Sequence, residues 1–250
     1  MDAASGGLAL ASPPGRRLVS TRMPTSEGEK LQMKDDDLRR HVTAELAWDP
    51  RVDSDTIEVR TASGTVTLRG VVTSLRLKRA GSRAAARVRG VTWVANELRV
   101  QIPDRDRRDD EDLRGDVLEA LMLDISVPMT VDVRARDGFV TLTGTAEWHY
   151  QREAAESRAT DVPGVAGIDN TITLTQTPDA RDARDAITGA FMRHAVLAAE
   201  VLSVETFSDG LVILSGTVSC WAAHDHALVA AWSAPGVTQV DDRISVESRP

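Results

Sequence analysis

Gly64 to Gly70 reads GTVTLRG, and the phrase returns as GFVTLTG at Gly138 to Gly144 and as GLVILSG at Gly210 to Gly216. The first glycines of the three copies stand 74 and 72 residues apart. Twenty residues beyond the second glycine of each copy comes a Gly-Val pair: Gly90-Val91, Gly164-Val165 and Gly236-Val237. Six residues further stand Asn96, Asn170 and Asp242. Shared register over this length identifies a threefold tandem repeat of roughly seventy residues per unit.

Working outward from the phrase, residues alternate with period two on both sides of its first glycine. Ile57 and Val59 precede Val66 and Leu68; Val131 and Val133 precede Val140 and Leu142; Leu202 and Val204 precede Val212 and Leu214. Two short alternating runs around a glycine-containing turn predict a β-hairpin. Gly64, Gly138 and Gly210 are expected to turn it, and Gly70, Gly144 and Gly216 to release the strand toward a following helix. Upstream, apolar residues recur every fourth position at Leu38, Val42, Leu46, at Leu113, Val117, Leu121 and at Ala183, Ile187, Phe191, which is one face of a helix. Carboxylates at Asp35 to Asp37, Asp109 to Asp112 and Asp182 are placed to open these helices, with Asp37, Asp112 or Asp182 as caps. Downstream, Leu77, Ala80, Ala84, Val88 and their counterparts mark an alanine-bearing second helix, ended by the Gly-Val pair. A last strand follows through Val94, Leu98 and Val100. The predicted class is α+β: three small αββαβ domains at 35–103, 109–176 and 179–248, after a disordered leader at 1–34.

Units of this size bury only about 60% of their unfolded surface, so docking between them would add stability that each lacks alone. One cysteine, Cys220, precludes an intrachain disulfide and a cysteine-based zinc cage. Residues 1–34 lack the apolar core of a secretory signal, and no run of about eighteen apolar residues occurs, which predicts a soluble, cytoplasmic protein with peripheral membrane association open to it. The net charge of −8 divides unevenly. Residues 1–108 hold 20 basic against 14 acidic groups, a balance of +6, while residues 109–250 hold 10 against 24, a balance of −14. Only the first unit suits an anionic partner.

A helix, V-x-V, G-x-V-x-L-x-G, an alanine-bearing helix and then G-V-x-x-V-x-N-x-L-x-V resembles the BON domain, a bacterial module of osmotically inducible and outer-membrane-associated proteins. The resemblance covers about residues 35 to 248. It implies a three-stranded mixed sheet with two helices on one face, and binding to phospholipid surfaces, tolerance of osmotic or envelope stress, or chaperoning. It implies no catalytic residue and no cofactor. The third copy departs in carrying Asp242 for the asparagine and in a first hairpin arm one residue longer, and the chain shows no export signal.

Arg76, Arg79, Arg83 and Arg87 follow spacings of three, four and four on the first unit's second helix, with Lys78 and Arg89 beside them. This basic stripe adjoins an apolar one, the pattern of a helix that meets phosphates or anionic headgroups. Two other readings stand: a solvated outer face, or a dock for the acidic second and third domains. Trp148 and Trp221, at the entry to the later second helices, are candidate rim aromatics or caps over the core. Cys220, His224 and His226 crowd one segment, but His226 points about 200° from His224 on a helix, which argues against a metal site. GTVTLRG lacks the Lys-Ser/Thr ending of a phosphate loop, and the acidic runs lack the ligand spacing of a calcium loop. The leading expectation is a non-enzymatic module that binds anionic phospholipid and supports stress tolerance, with nucleic acid disfavoured. The alternative is a protein-interaction scaffold or holdase-like chaperone.

Overall fold

The computed structural model describes residues 26–175, 180–198 and 200–247. The first domain runs α1 (Ser26–Trp48), β1 (Ile57–Ala62), β2 (Thr65–Val72), α2 (Leu75–Ala86) and β3 (Trp93–Val100). The second runs α3 (Asp110–Met122), β4 (Asp132–Arg136), β5 (Phe139–Thr143), β6 (Thr145–Ala146), α4 (His149–Asp161), β7 (Gly167–Asn170) and β8 (Thr173–Leu174). The third runs α5 (Ala180–Arg193), β9 (Val201–Thr206), β10 (Leu211–Val218), α6 (Trp221–Trp232) and β11 (Gln239–Val246). The α+β class is as the repeat predicts. In each unit the glycine phrase forms the central strand, antiparallel to the strand before it and parallel to the strand after α2, α4 or α6.

Every apolar position of the first helices named above is buried, from Leu38, Val42 and Leu46 to Ala183, Ile187 and Phe191. They close over Val66 and Leu68, Val140 and Leu142, or Val212 and Leu214 of the central strands, and each domain thereby has its own core. The small residues of the second helices, Ala84, Ala155, Ala159, Ala227 and Ala231, are fully buried, which lets the helix backbone lie close to the sheet.

Three local expectations are corrected. Helix α1 begins at Ser26, upstream of the acidic triad, because Glu27 to Lys34 contains good helix formers and no proline. Asp35 to Asp37 therefore lie inside the helix, and Asp35 instead accepts a hydrogen bond from the Ser63 amide of the hairpin turn. Asp110 does the same for the Asp137 amide, at 2.8 Å, while Asp109, not Asp112, caps α3 by accepting from the Asp112 amide. Asp182 falls within α5, and its side chain lies outside the described residues.

The second glycine does not release the strand. Gly70 and Gly216 sit inside β2 and β10, paired with Ile57 and Leu202, and Gly144 separates β5 from β6. A Cβ there would lie 2.0 Å from the Thr56 carbonyl oxygen, 2.2 Å from that of Thr130 and 2.1 Å from that of Val201, all at positive φ. Close approach of the first strand's backbone dictates glycine. The additional residue of the third hairpin falls in its turn, where the Phe207 amide donates to the Leu211 carbonyl, and not in its arm.

Candidate functional site

Leu75, His149 and Trp221 occupy one equivalent position, five residues after the second glycine and first in α2, α4 and α6. Each side chain enters a neighbouring domain. Leu75 packs into the core of the second domain. The His149 ring stacks on Trp232 of the third, with centroids 3.8 Å apart and planes 9° from parallel. Trp221 packs against the core of the first and meets Trp93 at 6.1 Å. The contacts run first to second, second to third and third to first, so a head-to-tail relation closes after three steps.

This closure decides where the basic stripe goes. Arg79 forms an ion pair with Glu156 of α4, whose other carboxylate oxygen accepts from Asn170 Nδ2 at 2.9 Å. Arg87 stays within its own domain, bonded to Glu45 and to the buried Asp49 at the end of α1. Asp49 also takes three hydrogen bonds from Arg51, the largest of the influences that hold its carboxyl well below the ordinary carboxylate range. Arg83 is exposed at a cavity where all three domains meet. Arg76 is exposed and Lys78 half-buried, and among the described residues neither forms an ion pair. One cation thus faces the second domain, one the first domain's own acids and one the junction.

Trp148 is the N-cap residue of α4, its amide and that of Glu147 bonded to Gln151 Oε1, and its ring lines the same junction. Trp221 lies one position later in the repeat and serves the first-to-third contact. Of the crowded trio, Cys220 packs against the third core, and the His226 ring lies 4.4 Å from that of His194. Among the described residues no group of three or more His, Cys, Asp and Glu is arranged to hold a metal ion.

His224 shows what the Asp242 departure does. In the first two repeats Asn96 and Asn170 donate to the helix carbonyls of Lys78 and Arg152, at 2.8 and 3.1 Å. An aspartate cannot donate there, and the residue equivalent to Lys78 and Arg152 is His224, whose Nε2 lies 2.8 Å from Asp242 Oδ2. The link from sheet to helix survives with side-chain partners. Burial of the imidazole pulls its pKa down, but nearby Asp225 and the charge and hydrogen bond of Asp242 outweigh that, leaving it raised above 6.5.

Sequence reasoning overlooked one surface. Past the last core position of α3, Met122, Leu123, Ile125 and Met129 are 77%, 81%, 102% and 97% exposed. They form an apolar prong between α3 and β4. Leu123 and Ile125 border a cleft of about 650 Å³ whose walls also carry Asp116, Glu119, Asp124 and Asp161. The readable signal was a connecting segment, MLDISVPM, with too many large apolar residues for a loop outside the helical spacing. Trp48 and Met192 are likewise exposed near the ends of α1 and α5, so the prong is the fullest version of a feature shared by the three ends. Among the described residues no helix is long and apolar enough to cross a membrane.

The family model for the BON domain matches this chain three times, at residues 34–102, 109–176 and 179–248. Osmotically-inducible protein Y of Escherichia coli (strain K12) is 32% identical over 147 residues, which span 55% of this chain and 71% of that protein. Among solved structures, CdsD, a structural protein of the type III secretion system of Chlamydia trachomatis, overlaps 85% of this chain and 93% of its own at 13% identity and a TM-score of 0.24. A structure of the CdsD C-terminal domain overlaps 84% and 98% at 15% identity and a TM-score of 0.23. Scores this low carry no inference about how the domains are arranged. The three family matches and the repeated αββαβ units agree: the chain belongs to the BON domain family and carries three consecutive copies of it.

Proposed function

We propose that this is a non-enzymatic binding protein that associates with phospholipid surfaces and supports tolerance of osmotic stress. The carrying observation is the prong: four large apolar side chains within eight residues, standing almost wholly in solvent. Isolated exposed apolar residues are ordinary on a protein surface, but a contiguous group marks an interaction site. Burying a leucine or isoleucine removes about 1.5–3 kcal/mol of unfavourable hydration, so two or three inserted side chains suffice for reversible association. The name of the Escherichia coli relative, osmotically inducible, supports the stress setting. The basic helix plays the smaller part, because Arg79 and Arg87 are engaged within the chain and Arg76 is the exposed cation left on that stripe.

Vesicle flotation tests the reading. The protein is expected to float with zwitterionic vesicles, and the pair Leu123→Asp and Ile125→Asp to cut binding roughly tenfold or more, each carboxylate removing an apolar contact worth at least about 1.5 kcal/mol. Equal flotation of the pair and the parent would refute it.

The acidic cleft beside the prong favours a second reading, a scaffold or holdase for client proteins. Four carboxylates around an apolar edge suit a segment that is both apolar and basic. Protection of a basic, aggregation-prone client in the absence of lipid, lost in the same pair of variants, would support it. No protection would rule it out.

A further inference from the structure

The cavity where the three domains meet has a volume of about 530 Å³, within the range of small-molecule sites. Arg83 comes from the first domain; Trp148, Tyr150 and Glu153 from the second; Asp225 and Trp232 from the third. We propose that it binds a compact organic cation of the quaternary-ammonium class, held by aromatic rings and carboxylates contributed by different domains.

The repeat itself places the acids. Nine residues past the second glycine stand Arg79, Glu153 and Asp225. Arg79 is turned away into its ion pair with Glu156, so the equivalent positions facing the cavity are both carboxylates. They outnumber the one guanidinium there, Arg83. Glu153 stays ionised: the His149 imidazole 3.5 Å away, and then the charges of Arg83 and Arg152, hold its carboxyl below the ordinary value.

The rings set the class of cation. A face of Trp232 is covered by His149, whereas Trp148 is half-buried and Tyr150 exposed at the cavity wall. Aromatic faces attract a diffuse cation that has little hydration to lose, and the neighbouring Leu228 and Val229 suit its methyl groups. A small, strongly hydrated metal ion would find no group of three ligands among the described residues. Arg83, on the opposing domain, fits an oxygen carried by the same ligand. Because the walls belong to all three domains, an occupant ties the ring together, and binding stabilises the assembled form by mass action.

The test uses the full chain with tetramethylammonium and choline as probes. The controls are 3,3-dimethylbutan-1-ol, the neutral carbon counterpart of choline, and sodium chloride at matched ionic strength. Both cations are expected to give a saturable change in tryptophan fluorescence and a higher melting temperature, with neither control doing so. The double variant Glu153→Gln and Asp225→Asn, checked for an unchanged circular dichroism spectrum, should bind roughly tenfold more weakly or worse, the factor expected for one lost charge contact. If the double variant does not fold, Trp148→Phe with Tyr150→Leu provides the same comparison through the melting temperature. No saturable response, an equal response to the neutral alcohol or to sodium chloride, or undiminished binding by the folded variant overturns the proposal.

Discussion

Replacing Gly144 by alanine probes the closest approach in the second domain. The added Cβ would lie 2.2 Å from the Thr130 carbonyl oxygen and 3.0 Å from both the Thr130 carbonyl carbon and the Val131 Cα. These are backbone atoms, so no side chain can swing aside. To restore ordinary contact the first strand must retreat by roughly 1 Å, which breaks the neighbouring ladder bonds between β4 and β5 at about 1 kcal/mol each. The positive φ of 125° adds roughly 1–2 kcal/mol for a residue with a Cβ. The total is about 3–4 kcal/mol against a stability of roughly 3–10 kcal/mol for a unit of this size, so the second domain loses most of its margin. Thermal unfolding followed by circular dichroism should show a transition lowered by roughly 12 °C or more. Hydrogen exchange should place the loss between residues 110 and 174. Gly115 is the control: nothing lies within 4 Å of its would-be Cβ on α3, and alanine there should stabilise by about 0.5–1 kcal/mol. If Gly144→Ala melts within a few degrees of the parent, the close-approach explanation of the second glycine is refuted.

Three further outcomes follow from the same geometry. His224 has a raised folded pKa, so the stability it brings is fully present below its unfolded value of 6.5 and is lost as pH climbs through the folded one. Amide protection in α6 should decline over that alkaline rise in the parent and stay flat in Asp242→Asn, and equal pH profiles would refute the assignment. Trp221→Ala should cost about 1.5–3 kcal/mol of docking between the third and first domains, read as solvent exposure of Trp93, while all three cores stay protected. Asp49→Ala removes the acceptor shared by Arg51 and Arg87 and should lower the first domain's stability by about 1.5–3 kcal/mol in chemical denaturation; no change would remove Asp49 from the account of how α1 ends.

What could be read from the sequence was whatever repeats. The four-residue spacing of Leu38, Val42 and Leu46, the alternation around Gly64 and the Gly-Val stop were visible because burial imposes the same period on all three copies. The ring was hidden for the opposite reason. Leu75, His149 and Trp221 share a position but no chemistry, since each is shaped by a different neighbour, and a pattern search sees three unrelated residues. Trp221 was noticed as an aromatic, yet its partner Trp93 lies 128 positions away and only the docking brings them together. The basic stripe was legible as a stripe, while the placement of Glu156 opposite Arg79 depends on the angle between two domains. The exchange of asparagine for Asp242 was visible, but its meaning needed His224 beside it.

The most direct test of the claim that docking engages the basic helix within the chain and leaves the prong as the contact surface is a paired fluorescence measurement. With Cys220 replaced by alanine, a polarity-sensitive dye is attached through Ile125→Cys in one protein and Arg76→Cys in another, and zwitterionic vesicles are added. The claim predicts a blue shift at position 125 and little change at position 76. A shift at position 76 with none at position 125 would contradict it.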